Sequence, residues 1–233
     1  MRRPAAVDLD SVSRHHAAPA GVVRAVDGIS LEVAGGEGVA IMGPSGCGKS
    51  TLLGLLGGLE LPTAGQVVVG GLVLSALSER RRVDIRRRHF GFVFQSDNLL
   101  PFLTAAESVA QQLALAGGPP GGEDLGMALL AELGLADAAD KLPDQLSGGQ
   151  RQRVAVARAL VHRPAVILAD EPTGSVDGAN AEVVLDLLLA AQETTRATLV
   201  VVTHDPAVAA RLDRTLELRD GRLVAGGPAA KAT

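Results

Sequence analysis

A chain of 233 residues that is 47% hydrophobic and 21% charged has enough apolar surface to bury a core, which excludes global disorder. A formal charge of −4 sets it against a general nucleic-acid binder, and a single cysteine excludes an internal disulfide framework and fits a reducing compartment. Aromatic residues are 2%, with no Trp or Tyr, so the core must be built from Val, Leu, Ile and Ala.

The opening MRRPAAVDLD lacks the long apolar stretch of a signal peptide, and no apolar run approaches the ~20 residues of a membrane span. If membranes matter, a partner supplies the span. Val22 to Val33 alternates loosely and is β-branched, which predicts a strand; GVAIMG predicts a short buried one. TLLGLLGGLE reads as a helix fading at Gly57-Gly58, GQVVVGG as a strand, ERRRVDIRRRHF as a charged helix and GFVFQ as a short strand. Thr104 and Glu107 form a capping-box pattern that opens a helix, and Gly117 to Gly122 must be a loop. Helical patterns follow from about Asp124 to Gly134 and from Ser147 to Leu160. AVILAD, ATLVVVTH and TLELRDGRL are strand-like, with the helical GANAEVVLDLLLAAQ between the first two. Continuously apolar strands alternating with helices predict an α/β fold around a mostly parallel sheet covered on both faces. Residues 96–144 lack strand patterns and are expected to form a helical insert, with 1–95 and 145–233 as the core.

Two stretches look like anion sites. GPSGCGKS places Gly43, Gly48, Lys49 and Ser50 at P-loop spacing between a strand and a helix. Its glycines let backbone N–H groups close on phosphates, and the following helix presents roughly half a positive charge. Lys49 is placed for β and γ phosphates and Ser50 for Mg²⁺. Asp170 ends an apolar strand where a carboxylate suits Mg²⁺; Glu171, one residue on, suits a general base that polarises water. His204 and Gln95 also end strands, where ligands of parallel sheets bind. The second stretch, LSGGQ at Leu146 to Gln150, opens a helix but has no lysine; alone, it reads as a capped structural helix.

Together these pieces resemble the ATP-binding cassette ATPases from about Val22 to Gly226. Gly43, Pro44, Ser45, Gly46, Cys47, Gly48, Lys49, Ser50 and Thr51 look like the Walker A motif, and VILADE like Walker B. Gln95 looks like the Q-loop glutamine, Ser147, Gly148, Gly149 and Gln150 like the signature, Asp177 like the D-loop aspartate and His204 like the switch histidine. The resemblance implies a P-loop NTPase core with an N-terminal antiparallel β portion and an inserted helical subdomain. It also implies ATP and Mg²⁺, with Ser50, Gln95 and Asp170 at the metal, and hydrolysis by Lys49, Gln95, Glu171 and His204. In this family two cassettes pack head to tail, so the lysine-free signature serves the partner's γ phosphate. A homodimer or paired cassette is therefore expected, with a transmembrane permease, no nucleic-acid partner, and a cytoplasmic location on the inner face of the cell membrane.

Residues 87–109 and ILADEPTGSVD look like the cassettes of the lipoprotein-release and macrolide-export type, whose motion is passed on as mechanical work. NLLPFL, Asn98 to Leu103, is the candidate groove for the permease's coupling helix; it reads equally well as core of the insert. The family's adenine-stacking aromatic is missing, and His16, with His15 beside it, stands nearest its place; SRHH also reads as a solvated terminal segment. That leaves room for GTP beside ATP. The D-loop has Ser175-Val176 where the subgroup has Asn-Leu, and Cys47 reads as a small residue filling a turn. The clusters Arg80 to Arg82 and Arg86 to Arg88 read as a solvated helix face or one turned to lipid headgroups. The main alternative is a soluble cassette ATPase without a permease, such as a cofactor-assembly ATPase. A repair-type member is disfavoured by the absence of heptads between Lys49 and Ser147, and a P-loop GTPase by the lack of an Asn-Lys-x-Asp motif.

Overall fold

The computed structural model describes residues 5–19, 21–119, 122–174 and 178–228. In chain order the elements are β1 (Val7–Ala18), β2 (Gly21–Val33), β3 (Gly38–Met42), α1 (Lys49–Leu56), β4 (Ala64–Val69), β5 (Leu72–Val73), α2 (Glu79–His89) and β6 (Phe90–Val93). There follow α3 (Ala105–Leu115), α4 (Glu123–Glu132), α5 (Gly148–Leu160), β7 (Val166–Asp170), α6 (Gly178–Thr195), β8 (Thr198–Thr203), α7 (Pro206–Ala209), β9 (Arg214–Arg219) and β10 (Arg222–Pro228). Four strands form an antiparallel sheet in the order β2-β1-β4-β5; six form a second sheet in the order β10-β9-β3-β8-β7-β6, in which all neighbours but β10 and β9 run parallel.

The interiors of the central strands, Val166 to Ala169 and Leu199 to Val202 among them, are apolar because both faces are covered. Side-chain alternation divides each between two clusters. Ile41, Leu168, Val200 and Val202 face α1, whose Leu52, Leu53, Leu55 and Leu56 join them to Val7, Leu9, Val33 and Val67 of the antiparallel sheet. Ala40, Ile167, Ala169, Leu199 and Val201 face the other way, onto Val184, Leu185 and Leu188 of α6. A third cluster gathers Ala105 and Val109 of α3, Leu130 of α4, Leu133, Leu135, Leu146 and the inner face of α5, Val154 and Ala157. The described residues between 96 and 144 contain no strand. The Thr104–Glu107 capping box is formed, with Thr104 Oγ1 accepting from Glu107 N and Glu107 Oε2 from Thr104 N.

Two elements differ from the sequence reading. The SRHH segment is not a solvated tail: it lies in β1, where irregularities in register with β2 break the alternation that would have shown it. TLELRDGRL is two antiparallel strands, folded back at a turn where Asp220 and Gly221 both take positive φ.

Candidate functional site

The turn from β3 into α1 leaves the first N–H groups of the helix without a side-chain cap, the arrangement that receives an anion. Gly48 caps it at φ 104°, and a Cβ there would lie 1.9 Å from the Ala25 carbonyl oxygen, so only glycine fits. Lys49 is 9% exposed, and its ammonium donates to the carbonyls of Gly43 (2.8 Å) and Pro44 (3.0 Å). Those dipoles offset the desolvation of the charge while leaving it at the mouth of the turn. Cys47 is buried against the core; its backbone N–H donates to Pro44 and its carbonyl accepts from Gly221 N (3.0 Å).

Because β7 and β8 are neighbours in parallel register, their ends bring Asp170, Glu171, Thr203 and His204 together. Glu171 is 9% exposed at φ 45°, a left-handed conformation, and its N–H donates to Val202 O at 2.8 Å. Thr203 Oγ1 donates to Glu171 Oε2 (3.3 Å), and His204 Nδ1 donates to Glu171 Oε1 (2.8 Å). With Nδ1 committed as donor, Nε2 of the exposed ring is the acceptor when the ring is neutral.

One cleft of about 960 Å³ joins these groups: Ser45, Gly46, Gly48, Lys49, Ser50, Thr51, Gln95, Asp170, Glu171 and His204 line it. So do Val22, Val23, Arg24, Ala25, Asp220 and Gly221, none of which the sequence reading singled out. His16 is not among the lining residues; it is paired across the β1–β2 ladder with Val23, which is, and its Nε2 stands 3.9 Å from Glu60. Asp177 lies outside the described residues, as do Ser175 and Val176. Hydroxyl, carboxylate and amide oxygens from Ser50, Asp170 and Gln95 in one cleft are the hard donors that suit Mg²⁺, which takes its remaining ligands from phosphates and water.

Ser147 to Gln150 are not in this cleft. Ser147 caps α5, accepting from Gln150 N (3.2 Å) while its own N–H donates to Gln150 Oε1 (2.9 Å). Ser147 and Gly148 are exposed, so the helix offers its N-terminus to something outside the chain. Sequence reasoning also missed a link between the two regions. Arg151, one turn into α5, donates from Nη1 to Leu146 O (2.8 Å) and from Nε to Asp97 Oδ2 (2.9 Å); Arg158 donates to the carbonyls of Asp97 (2.9 Å) and Asn98 (2.6 Å). Burial holds the Arg158 guanidinium below the ordinary arginine range.

Comparison with known proteins bears on all of this. The family model described as ABC transporter matches residues 26–174. The lipoprotein-releasing system ATP-binding protein LolD of Xanthomonas campestris pv. campestris is 49% identical over 210 residues, covering 88% of this chain and 86% of that protein. LolD of Legionella pneumophila is 46% identical over 204 residues, covering 87% and 90%. Among solved structures, the dimeric ATP-binding cassette MJ0796 bound to ADP and Pi in a post-hydrolysis state superposes with a TM-score of 0.90 at 39% identity, covering 95% of this chain and 98% of that one.

Proposed function

The chain belongs to the ABC transporter family, and from that premise we propose that it is the ATP-hydrolysing subunit of a membrane transporter, working as a dimer around two ATP molecules to drive a permease. The observation that carries the reading is the Glu171–His204 pair (2.8 Å) in one cleft with Lys49, while the Ser147 cap lies outside that cleft. A nucleotide in the P-loop is contacted on one side by its own chain and leaves its γ phosphate open to the α5 N-terminus of a second copy.

In this reading Lys49 leaves its carbonyl cradle to neutralise β and γ phosphate charge. Ser50, Asp170 and Gln95 hold Mg²⁺, which, when bound, draws charge from the phosphate oxygens. Glu171 takes a proton from the water that attacks the γ phosphorus, and ADP and phosphate leave. His204 keeps the Glu171 carboxylate and the γ phosphate in register, as an imidazolium whose two ring nitrogens both donate. Asp177 is assigned a contact across the dimer. Residues 96–144 serve as a helical subdomain carrying the permease contact. Asn98, Leu100 and Leu103, with Phe92, Phe94 and Arg87, line a separate groove of about 410 Å³, which we assign to the permease's docking helix. Among the described residues no helix is long and apolar enough to cross a membrane, so we assign the span to that permease and the chain to the inner membrane face. The names of the LolD relatives favour release of lipoproteins as the driven task over an ABC ATPase that works without a permease.

Glu171→Gln keeps shape and removes the base. ATP is expected to bind with unchanged affinity, hydrolysis to fall by a hundredfold or more, and the chain to dimerise with ATP. Hydrolysis near the unmutated rate would overturn the assignment.

A further inference from the structure

The eleven residues of α2 include six arginines and two acids, a formal +4 in a chain of −4, so the rest of the molecule stands at −8. The two acids divide the arginines between two faces. Glu79 serves the inner one: Arg82 and Arg86 both donate to it, Arg82 is buried, and Arg86 also donates to Gly58 O (2.6 Å). Arg80, Arg81, Asp84, Arg87 and Arg88 fall within about 120° of the helix circumference, and all four of these arginines are exposed. Asp84 is the one carboxylate of α2 on that arc. It accepts from Arg87 Nη2 (2.6 Å) and Arg88 Nε (3.1 Å) and stands 3.7 Å from Arg81 Nη1. One carboxylate thus draws three guanidinium groups together and leaves them a net cation. Arg88 spends only Nε on the pair, so both Nη groups of its fork lie outside it. This face borders the groove assigned above to the permease's docking helix, since Val83, Arg86 and Arg87 of α2 line that groove beside Leu59 and Leu100. Val83, Leu59 and Leu100 are themselves exposed.

Resting on the transporter reading above, we propose that the Arg80, Arg81, Arg87 and Arg88 face of α2 lies against the anionic phospholipid headgroups that surround the permease. A groove that receives a membrane protein's docking helix opens towards the bilayer, and a helix that forms its wall is carried close to the headgroups. A guanidinium fork fits two oxygens of one phosphodiester, and each basic residue near an anionic leaflet strengthens partition by about fivefold. Arg80, Arg81 and Arg88 lie outside the groove, spread over roughly 12 Å of convex helix surface. A convex cationic strip matches a sheet of headgroups better than a single acidic peptide, which needs a cleft to hold it. The −8 carried elsewhere is repelled by the same surface, so the molecule is turned with α2 towards it.

Sedimentation of the full chain with vesicles tests this, using phosphatidylcholine alone and phosphatidylcholine mixed with phosphatidylglycerol. At low salt the chain is expected to bind the anionic vesicles and not the neutral ones, although its own formal charge is −4, and high salt should release it. Arg81→Gln combined with Arg88→Gln should weaken that binding by about tenfold or more. Arg211→Gln combined with Arg219→Gln removes the same charge from exposed arginines elsewhere and should change it by no more than about twofold. ATP affinity should stay the same in both double variants, since none of the four residues lines the nucleotide cleft, and this shows that they fold. Overturning results are no binding to anionic vesicles at low salt, equal binding to both kinds of vesicle, or equal loss from the two double variants. Retention on soluble polyglutamate by a chain that leaves anionic vesicles unbound would overturn it as well, in favour of an acidic protein segment. ATP hydrolysis that is indifferent to added permease would overturn the transporter reading, a result on which vesicle binding has no bearing.

Discussion

Gly48 shows how one residue fixes the geometry of the phosphate turn. Its φ of 104° is closed to side-chain-bearing residues, and the Ala25 carbonyl oxygen occupies the space of a Cβ. Gly48→Ala is expected to cost about 2 kcal/mol or more, roughly 5 °C in thermal midpoint, and to abolish nucleotide binding. Gly46→Ala, at φ 79° but with open space around the built Cβ, carries the strain without the clash, so a loss near 1 kcal/mol is expected. Equal midpoints for the two variants would contradict the close contact with β2. At the far end of the cleft, His204→Ala should lower kcat by about a hundredfold while ATP affinity stays within twofold, since the imidazole positions the base and meets only the γ phosphate, the rest of the nucleotide being held by the P-loop. Steady-state kinetics beside equilibrium binding separates these quantities. Lys49, Glu171 and His204 were legible in the sequence because each ends or follows a local pattern, a strand then a turn or carboxylate. Val22, Val23 and Arg24 were not, because their exposure depends on how β2 pairs with β1, and nothing local encodes that.

Between single residues and the whole lies the link from the Gln95 loop to α5. Asp97, two residues past Gln95, accepts from Arg151, and Arg158 clamps the carbonyls of Asp97 and Asn98. The segment just past Gln95 is thereby tied to the helix whose cap is Ser147. The Asp97–Arg151 pair is about one-third exposed on each side, so its direct contribution is modest, ~0.5 kcal/mol after solvent screening. A double-mutant cycle on Asp97→Ala and Arg151→Ala by denaturant unfolding is expected to return a coupling of that size; strict additivity would show that the pair is idle. Arg158→Ala should cost more, about 1–3 kcal/mol, because it strips a donor from two carbonyls at once. None of this was readable beforehand: Asp97 and Arg151 are 54 positions apart, and no period joins them. The α5 cap itself was readable, since Ser147 and Gln150 fall at the spacing that allows reciprocal bonding within one turn.

The molecule as a whole is half of a machine. Its parallel sheet was legible because β3, β7 and β8 are apolar without interruption, a pattern that only two-sided cover explains. Its antiparallel sheet was only partly so, because β1 breaks alternation at its register shifts; in the six-stranded sheet, the β9–β10 reversal hides in a polar turn. What neither strand nor helix pattern reveals is that the cleft with Lys49 and the cap at Ser147 are separate surfaces of one chain. If each ATP needs both, a chain with either surface spoiled is inactive alone, yet two differently spoiled chains complement each other. Mix equal amounts of Lys49→Ala and Ser147→Arg protein, with the permease present. Random pairing makes half of the dimers mixed, and each mixed dimer joins one intact P-loop to one intact cap, so about a quarter of the unmutated sites are whole. Hydrolysis near that quarter is the expected outcome, against almost none for either variant alone. A site complete within one chain gives instead the plain average of two inactive proteins, and that result would dissolve the paired arrangement on which the function rests.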